Sequence, residues 1–314
     1  MKKNLVIVAS VLSAAVALAG CSKKSDGKLA IGVIQLVEHN ALDANYQGFV
    51  DGLKEAGYVD GENITIDYQN AQGEQANCTT IADKFVSDKK DMIFAIATPA
   101  AQAIAAKTET IPVLISSVTD PKSAGLVDSN EKPGHNITGT SDLTPCAAQI
   151  DLIKQIVPGA KKVGMLFCSA EDNSRFQITL AEAECKKIGL DYEEFTVSNQ
   201  NEVMTVVQSM VGKVDAIYAP TDNMIAATMG VVSEVATSAK IPVICGEDGM
   251  VQSGGLATYG LNYYELGKQT ATMAVEIIKN GRKPGEMPIQ YLATCDFSYN
   301  PETAEILGLD LSKF

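Results

Sequence analysis

Two short turns carry side chains suited to binding a charged small molecule. Thr98-Pro99-Ala100-Ala101 offers a hydroxyl and small residues, which would let an anion reach the free backbone N–H groups where a helix begins. Pro220-Thr221-Asp222-Asn223, in the second half of the chain, offers a carboxylate that could pair with an ammonium group. Together they predict a site for a zwitterion, with Thr98, Ala100 and Ala101 on one side and Thr221, Asp222 and Asn223 on the other.

Both turns also have a purely local interpretation. Thr98 followed by Pro99 fits a helix N-cap with proline at the first helical position, and Asp222 and Asn223 are good helix caps as well. The matching position of the two turns in the two halves of the chain favours a ligand-binding role.

Further polar side chains extend the predicted site. Glu247-Asp248 follows the apolar run 243–246 and is a second candidate for the ammonium, and the sequence does not decide which acid faces the ligand. Other candidates lie at predicted strand ends or in equivalent loops: Gln35, His39, Thr119, Asp120, Asp142, Glu171 and Asn173. Asp120 precedes Pro121 and fits a plain turn equally well. His39 is expected to be a surface histidine rather than a ligand group.

The composition favours an amino acid as the ligand. A sugar site normally calls for more stacking aromatic side chains, whereas only 6% of this chain is aromatic. If the ligand has an aromatic side chain, Tyr218, Tyr263 or Tyr264 could contact it, and the sequence does not choose among them.

The elements around the two turns form a repeat. Each turn follows an apolar run of strand length and precedes a helical pattern, and each is followed by a second strand that opens on Ile-Pro-Val, at 111–113 and 241–243. Gly57 and Gly189 end corresponding helices. This strand–helix alternation predicts an α/β protein of two similar Rossmann-like lobes with parallel sheets. A single large Rossmann-like sheet is the alternative.

The lobes are expected to be joined by several crossings of the chain. The Gly-rich polar stretch 134–142 fits a hinge, residues 254–260 fit the return connection, and a helix from Tyr263 to Asn280 would pack on the first lobe. The predicted lobes are residues 29–140 with 261–288, and residues 141–260 with 289–314. Because ligands of open parallel sheets collect beyond the carboxyl ends of the strands, the site is expected between the lobes.

The amino terminus has the pattern of a bacterial lipoprotein signal. Met1-Lys2-Lys3 is basic, an apolar run of residues 5–18 follows, and the run ends in Leu18-Ala19-Gly20-Cys21. Residues 1–20 are therefore predicted to be a signal peptide, with lipid on Cys21 and residues 21–28 as a tether to the membrane surface. A buried N-terminal helix that happens to contain a cysteine is the alternative.

Charge and composition exclude several functions. The net charge of −13 becomes −15 once residues 1–20, with two lysines and no acid, are removed, which does not suit nucleic-acid binding. The six cysteines besides Cys21 form no Cys-x-x-Cys pair, so no metal site and no cofactor are expected. Two histidines and the absence of Gly-x-Ser-x-Gly and P-loop motifs argue against an enzyme.

Six motifs occur together in the sequence: Ala97-Thr98-Pro99-Ala100-Ala101-Gln102, Val118-Thr119-Asp120-Pro121, Asn136-Ile137-Thr138-Gly139, Glu171-Asp172-Asn173-Ser174, Pro220-Thr221-Asp222-Asn223 and Tyr263-Tyr264-Glu265-Leu266-Gly267. They resemble those of a known family, the substrate-binding lipoproteins of ABC importers with the type I periplasmic-binding fold. Together they resemble the branch described as tryptophan/tyrosine-binding proteins.

The resemblance implies how such a protein would work. A monomer anchored outside the cytoplasm would close its lobes on an aromatic amino acid and deliver it to ABC permease subunits. A ligand sensor that docks to a receptor, or a binding protein for another amino acid or a small carboxylate, would show the same kind of cleft.

Overall fold

The computed structural model describes residues 27–314, which fold into two α/β lobes. The lipobox, Cys21 and the predicted signal peptide lie outside the described residues. The elements of the first lobe, in chain order, are β1 (Leu29–Gln35), α1 (Asn40–Glu55), β2 (Ile64–Asn70), α2 (Gln75–Ser87), β3 (Met92–Ile96), α3 (Thr98–Ala105), β4 (Val113–Ser116) and β5 (Ile137–Gly139). These five strands form one parallel sheet in the order β2-β1-β3-β4-β5.

The second lobe repeats this layout. Its elements are α4 (Cys146–Ile156), β6 (Lys162–Cys168), α5 (Asp172–Ile188), β7 (Asp191–Val197), α6 (Val203–Met210), β8 (Ala216–Ala219), α7 (Asn223–Ala227), α8 (Met229–Ser238), β9 (Val243–Cys245), α9 (Asp248–Gln252) and β10 (Ala257–Gly260). The last elements of the chain are α10 (Tyr263–Asn280), β11 (Asp296–Tyr299) and α11 (Pro301–Leu307). Short 3₁₀ helices occupy Gln200–Glu202 and Pro284–Glu286.

The strand order confirms the two-lobe prediction. The second sheet runs β7-β6-β8-β9-β10-β11, so its first five strands take the same order as the five strands of the first sheet. All neighbouring strands are parallel except β10 and β11, which are antiparallel. The two turns singled out in the sequence therefore follow equivalent strands, β3 and β8, and the single-sheet alternative is wrong.

The chain crosses between the lobes at places that correct two predictions. Within the predicted hinge 134–142, residues 137–139 form β5 and pair with 113–115 of β4, because their backbone completes the edge of the first sheet. The crossing therefore begins at Thr140, which forms a bridge with Gln290 of the returning tail. Residues 257–260 of the predicted return connection likewise form β10, so the return begins after Gly260.

Small residues let α10 lie directly on α1. A Cβ atom on Gly48 would collide with the carbonyl oxygen of Tyr264, and one on Gly267 would collide with the carbonyl oxygen of Asn45. Ala271, Met273 and Ala274 of α10 join the apolar core of the first lobe. The helix ends at Gly281, whose φ of 63° is the left-handed conformation that glycine adopts without a Cβ penalty. As a result, α10 is part of the first lobe and its first residue, Tyr263, faces the second lobe.

Two further observations concern membrane spans and cysteines. None of the helices in residues 27–314 is long and apolar enough to cross a bilayer. The six cysteines in this range are free thiols, five of them buried.

We expect Gly267→Ala to lower the free energy of unfolding by about 2 kcal/mol or more, because overpacking a close contact forces the helices apart. Urea unfolding of residues 22–314 measures the change. Gly230→Ala is the matched control, since Gly230 lies in α8 with no atom within 4 Å of its added Cβ, and it should leave stability unchanged or raise it. Equal stability of the two variants would contradict the close α1–α10 contact.

Candidate ligand-binding site

A small space, with a cavity volume of about 10 Å³, lies between the lobes, beyond the carboxyl ends of the strands. It is lined by His39, Leu42, Ser117, Thr119, Asp142, Asn173, Thr221, Asp222, Asn223, Ala226, Glu247 and Tyr263. Side chains of the two lobes meet around it, with Thr119 Oγ1 at 3.5 Å from Thr221 Oγ1. The lobes are therefore closed over the space.

Asp142 is the acid with an unpaired oxygen in this space. Its Oδ2 accepts a hydrogen bond of 2.8 Å from the Tyr263 hydroxyl, while its Oδ1 is buried without a hydrogen-bond partner. Burial raises the pKa of Asp142 to about 6. No lysine or arginine is among the residues that line the space, so an ionised Asp142 has no counter-charge from the described part of the chain. A ligand cation would supply one.

Glu247 contributes a second carboxyl group. It precedes α9, and its two oxygens accept hydrogen bonds from the backbone N–H groups of Gly249 and Met250. Burial, with smaller contributions from Asp248 and Asp142, raises the pKa of Glu247 to about 8. Because a carboxylate oxygen can accept more than one hydrogen bond, Glu247 could still contact a ligand.

Both carboxylate oxygens of Asp222 accept hydrogen bonds from within the protein. Its Oδ1 accepts from the N–H of Ile225 at 2.9 Å, which caps α7, and its Oδ2 accepts from Cys168 N at 2.6 Å and from the Ser174 hydroxyl at 2.7 Å. Burial raises the pKa of Asp222. The cap interpretation therefore describes its contacts, although the residue does line the space.

Glu171 has a similar anchoring position. One of its oxygens accepts from the N–H of Met224 at 3.1 Å, and the other accepts from the side-chain amides of Asn173 and Asn223. Burial, and then the charge of Asp222, raise the pKa of Glu171 to about 7. Glu171 and Asp222 together fix the start of α7 at the edge of the cleft.

Several polar atoms around the space are buried without a partner. Besides Asp142 Oδ1, they are Ser117 Oγ, Asn173 Oδ1 and His39 Nδ1. Buried polar groups in folded proteins are nearly always hydrogen-bonded, so this concentration around one space indicates a site for a polar ligand. Ser117 has a φ of 54°, and strained backbone of this kind is often found at functional sites. Sequence reasoning missed Ser117, which the strand-end rule could have found, because it directly follows β4.

The Thr98 turn does not reach the lining of the space. Thr98 is the first residue of α3, with Ala97 at the N-cap position, and its hydroxyl is buried without a hydrogen-bond partner. Ala100 and Ala101 are buried in the core of the first lobe. Ser117 and Thr119, which follow the neighbouring strand β4, line the space from this lobe instead.

Three other predicted residues also lie elsewhere. Gln35 donates to Val37 O and to Asp43 Oδ1 within the first lobe. Asp120 accepts from Ser123 N and Asn130 Nδ2, as the plain-turn interpretation requires. Asp248 accepts from the side chains of Gln252 and Ser298 on the outer side of α9.

The structure also shows which of the three candidate tyrosines lies at the site, and where His39 lies. Tyr263 lines the space, whereas Tyr218 is buried in the second lobe against Gln149 and Tyr264 bonds to Asp51. His39 also lines the space, which corrects its interpretation as a surface residue. Burial lowers the pKa of His39 to about 4, so its ring is neutral at neutral pH.

Two equivalent α/β lobes closed over a polar space define a solute-binding protein with the type I periplasmic-binding fold. Residues 30–313 match the model of the family described as ABC transporter substrate binding protein. The chain belongs to this family, as the sequence motifs predicted. Its members are extracytoplasmic, and the family is one of binding proteins, not of enzymes.

Individual relatives cover nearly the whole chain. The Tyrosine-binding protein of Clostridioides difficile (strain R20291) is 42% identical over 317 residues, which is 97% of this chain and 91% of that protein. The structure of an ABC domain in complex with L-Trp from Streptococcus pneumoniae is 38% identical and superposes with a TM-score of 0.88, covering 91% of this chain and 96% of that one.

A third structure bears on the closure of the lobes. The ligand-free, open form of a substrate-binding protein with adhesive properties from Clostridium difficile is 45% identical and covers 90% of this chain and 95% of that one. Its TM-score is nevertheless 0.69, lower than the 0.88 of the less similar L-Trp complex. The lobes of the present chain thus have the arrangement of the complex rather than that of the open form.

We expect Asp222→Asn to destabilise the ligand-free protein, because its NH2 would face the N–H of either Cys168 or Ile225 and leave that buried donor unpaired, at a cost of about 1–3 kcal/mol. Asp142→Asn should keep the acceptor for Tyr263 and remove a buried acid. Urea unfolding of both variants tests the contrast.

The pH dependence of this contrast has a defined sign. Because the pKa of Asp142 is higher in the folded protein than in the unfolded chain, its ionisation destabilises the fold as the pH rises through the window from about 4 to 6. Asp142→Asn should therefore gain stability relative to the native chain across that window. A constant difference between the two proteins would contradict the buried, unpaired state of Asp142.

Proposed function

We propose that this chain is the lipid-anchored receptor of an ABC importer and binds an aromatic amino acid as a zwitterion between its lobes. The observation that carries the proposal is the buried, unpaired Oδ1 of Asp142 in a space lined by no lysine or arginine. An α-ammonium group would pair with it and offset its burial.

The ammonium end of the ligand is assigned to a group of acceptors. Asp142 Oδ1 is the principal partner, and Asn173 Oδ1 is a second buried acceptor without a donor. Glu247 adds a second carboxyl group to the same space, mostly protonated at neutral pH because burial raises its pKa to about 8. In this arrangement Asp222 and Glu171 anchor α7 and do not contact the ligand directly.

The carboxylate end is assigned to the first lobe. Ser117 and Thr119 present hydroxyl groups, which can donate to an anion, and the Ser117 hydroxyl has no other partner. The predicted carboxylate pocket is thus moved by one strand, from the end of β3 at Thr98 to the end of β4.

An aromatic side chain agrees with the remaining lining and with the relatives. Leu42, Ala226 and the Tyr263 ring supply apolar surface. In this closed arrangement the cavity is only about 10 Å³, room for no more than a water molecule, so the side chains around it must move apart to admit an amino acid. One relative is named for tyrosine, and a solved relative holds L-Trp.

Membrane anchoring and transport complete the proposal. Cys21 carries the lipid, and the tether holds the domain at the extracytoplasmic face of the cell membrane. The protein acts as a monomer, and its closed form docks on the permease and delivers the ligand chemically unchanged. Mass spectrometry of the mature N-terminal peptide would detect the lipid on Cys21.

We expect residues 22–314 to bind at least one of L-tyrosine, L-tryptophan and L-phenylalanine in titration calorimetry, and to bind sugars not at all. Each binding ligand should also raise the melting temperature, because it binds the folded chain alone. No heat and no thermal shift with all three amino acids would refute the ligand class while leaving the family assignment intact. Turnover of a ligand would refute the assignment as a binding protein.

We expect Asp142→Asn to weaken amino-acid binding by more than tenfold, since it removes the charge that meets the ammonium, a change of about 1.4 kcal/mol or more. Asp120→Asn is the matched control, because that carboxylate bonds within a turn outside the site. Calorimetry should show an unchanged affinity for the control. An equal loss in both variants would contradict the assignment of the ammonium to Asp142.

The affinity of the native chain should also depend on pH. Below a pH of about 6 the empty site holds a proton on Asp142, which must leave before the carboxylate can pair with the ammonium. Binding should therefore weaken as the pH falls below that value. Asp142→Asn should lose this dependence.

A further inference from the structure

His39 has a ring nitrogen that the protein does not use. The residue stands at the N-cap position of α1 but its side chain caps no backbone group. Its Nε2 lies 3.5 Å from Asn223 Oδ1 of the opposite lobe, and its Nδ1 is buried without a hydrogen-bond partner. Because His39 lines the closed space, Nδ1 is available to whatever occupies it.

A chain of hydrogen bonds determines which nitrogen carries the proton. The two oxygens of Glu171 accept from the backbone N–H groups of Met224 and Asn223, which can only donate. Glu171 therefore presents an acceptor to the Asn223 side chain, which turns its Nδ2 towards Glu171. The Oδ1 of Asn223 is thereby directed at His39, and an oxygen of an amide can only accept.

The consequence for the ring follows from its charge state. Since the buried imidazole is neutral at neutral pH, it carries one proton, and the acceptor at Asn223 holds that proton on Nε2. Nδ1 is then a lone-pair acceptor. The described residues around the closed site offer no donor to it, so a ligand that fills the space can supply one.

We propose that His39 is a specificity-determining residue, whose Nδ1 accepts a hydrogen bond from the ligand side chain and so selects aromatic rings that carry a donor. A phenol O–H or an indole N–H satisfies this requirement, and an unsubstituted phenyl ring does not. This inference rests on the proposed function, because it assigns the side-chain end of the same amino-acid site.

The other donor of an amino acid, its ammonium group, has better partners. Asp142 Oδ1 and Asn173 Oδ1 are both unpaired, and a carboxylate attracts an ammonium more strongly than a neutral imidazole does. With the ammonium held there, the ring of the ligand is the remaining source of a donor for His39. A phenyl ring would leave Nδ1 buried and unpaired, the situation that makes hydrogen-bonding sites reject analogues that lack a donor.

Calorimetry with L-tyrosine, L-tryptophan and L-phenylalanine tests the inference. The native chain should bind tyrosine or tryptophan at least tenfold more tightly than phenylalanine. His39→Leu should bring the affinity for phenylalanine to within about threefold of the best ligand, chiefly by weakening the ligands that carry a donor. His135→Leu, at an exposed position, is the control and should keep the native preference.

The outcomes separate this inference from the proposed function. If the native chain binds none of the three, both fail. If it binds phenylalanine as tightly as tyrosine and tryptophan, or if His39→Leu weakens all ligands equally, as loss of an ammonium contact would, the inference fails while the proposed function stands.

Nitrogen-15 NMR of the native chain gives a test that does not depend on the folding of a variant. The protein has two histidines, so His39 can be assigned against exposed His135. At neutral pH with L-tyrosine or L-tryptophan bound, His39 should show the proton on Nε2 and a hydrogen-bonded, unprotonated Nδ1. The signals of His135 should not change when the amino acid is added. A proton on Nδ1 in the complex would overturn the inference.

Discussion

The burial of four carboxyl groups in and beside the cleft, with no lysine or arginine among the residues that line it, is the constraint on which the site depends. Glu171, Asp222 and Glu247 are each held by backbone N–H groups at the start of a short helix, so the protein itself offsets part of their desolvation. Asp142 differs, because a tyrosine hydroxyl satisfies one of its oxygens, while the other has no hydrogen-bond partner within 3.5 Å, and the nearby Thr119 hydroxyl lowers the pKa of this carboxyl less than burial raises it. Asp142 Oδ1 is thus the carboxylate oxygen that remains for a ligand donor to pair with.

The contrast between acids that the protein holds itself and an acid left for the ligand explains which parts of the site the sequence could predict. Strand–helix alternation and the repeated turns were sufficient for two lobes with equivalent strand order, and glycines such as Gly189 marked helix ends correctly. The roles of Asp222 and Thr98 could not be read in the same way. A helix cap and a ligand contact use the same residue types at the same position. The choice for Asp222 depended on Cys168 N and the Ser174 hydroxyl, donors more than forty residues away in the chain.

The symmetry of the fold does not extend to its chemistry. The first lobe supplies neutral groups at the ends of β1 and β4, whereas most of the acids follow strands of the second lobe or the crossing between the lobes. A zwitterion can therefore have its two charged groups recognised by different lobes. Closure then brings the two sets of partners to one molecule, and the free energy of binding can stabilise the closed arrangement over the open one.

The close contact of α1 and α10 has a geometric consequence for recognition. His39 directly precedes α1, and Tyr263, which holds Asp142, begins α10. Because Gly48 and Gly267 bring the two helix backbones into direct contact, the separation between these two side chains is set within one rigid lobe and does not change when the lobes move. The first lobe therefore presents the His39 ring and the Tyr263 hydroxyl at one fixed spacing to a ligand, before the cleft has closed.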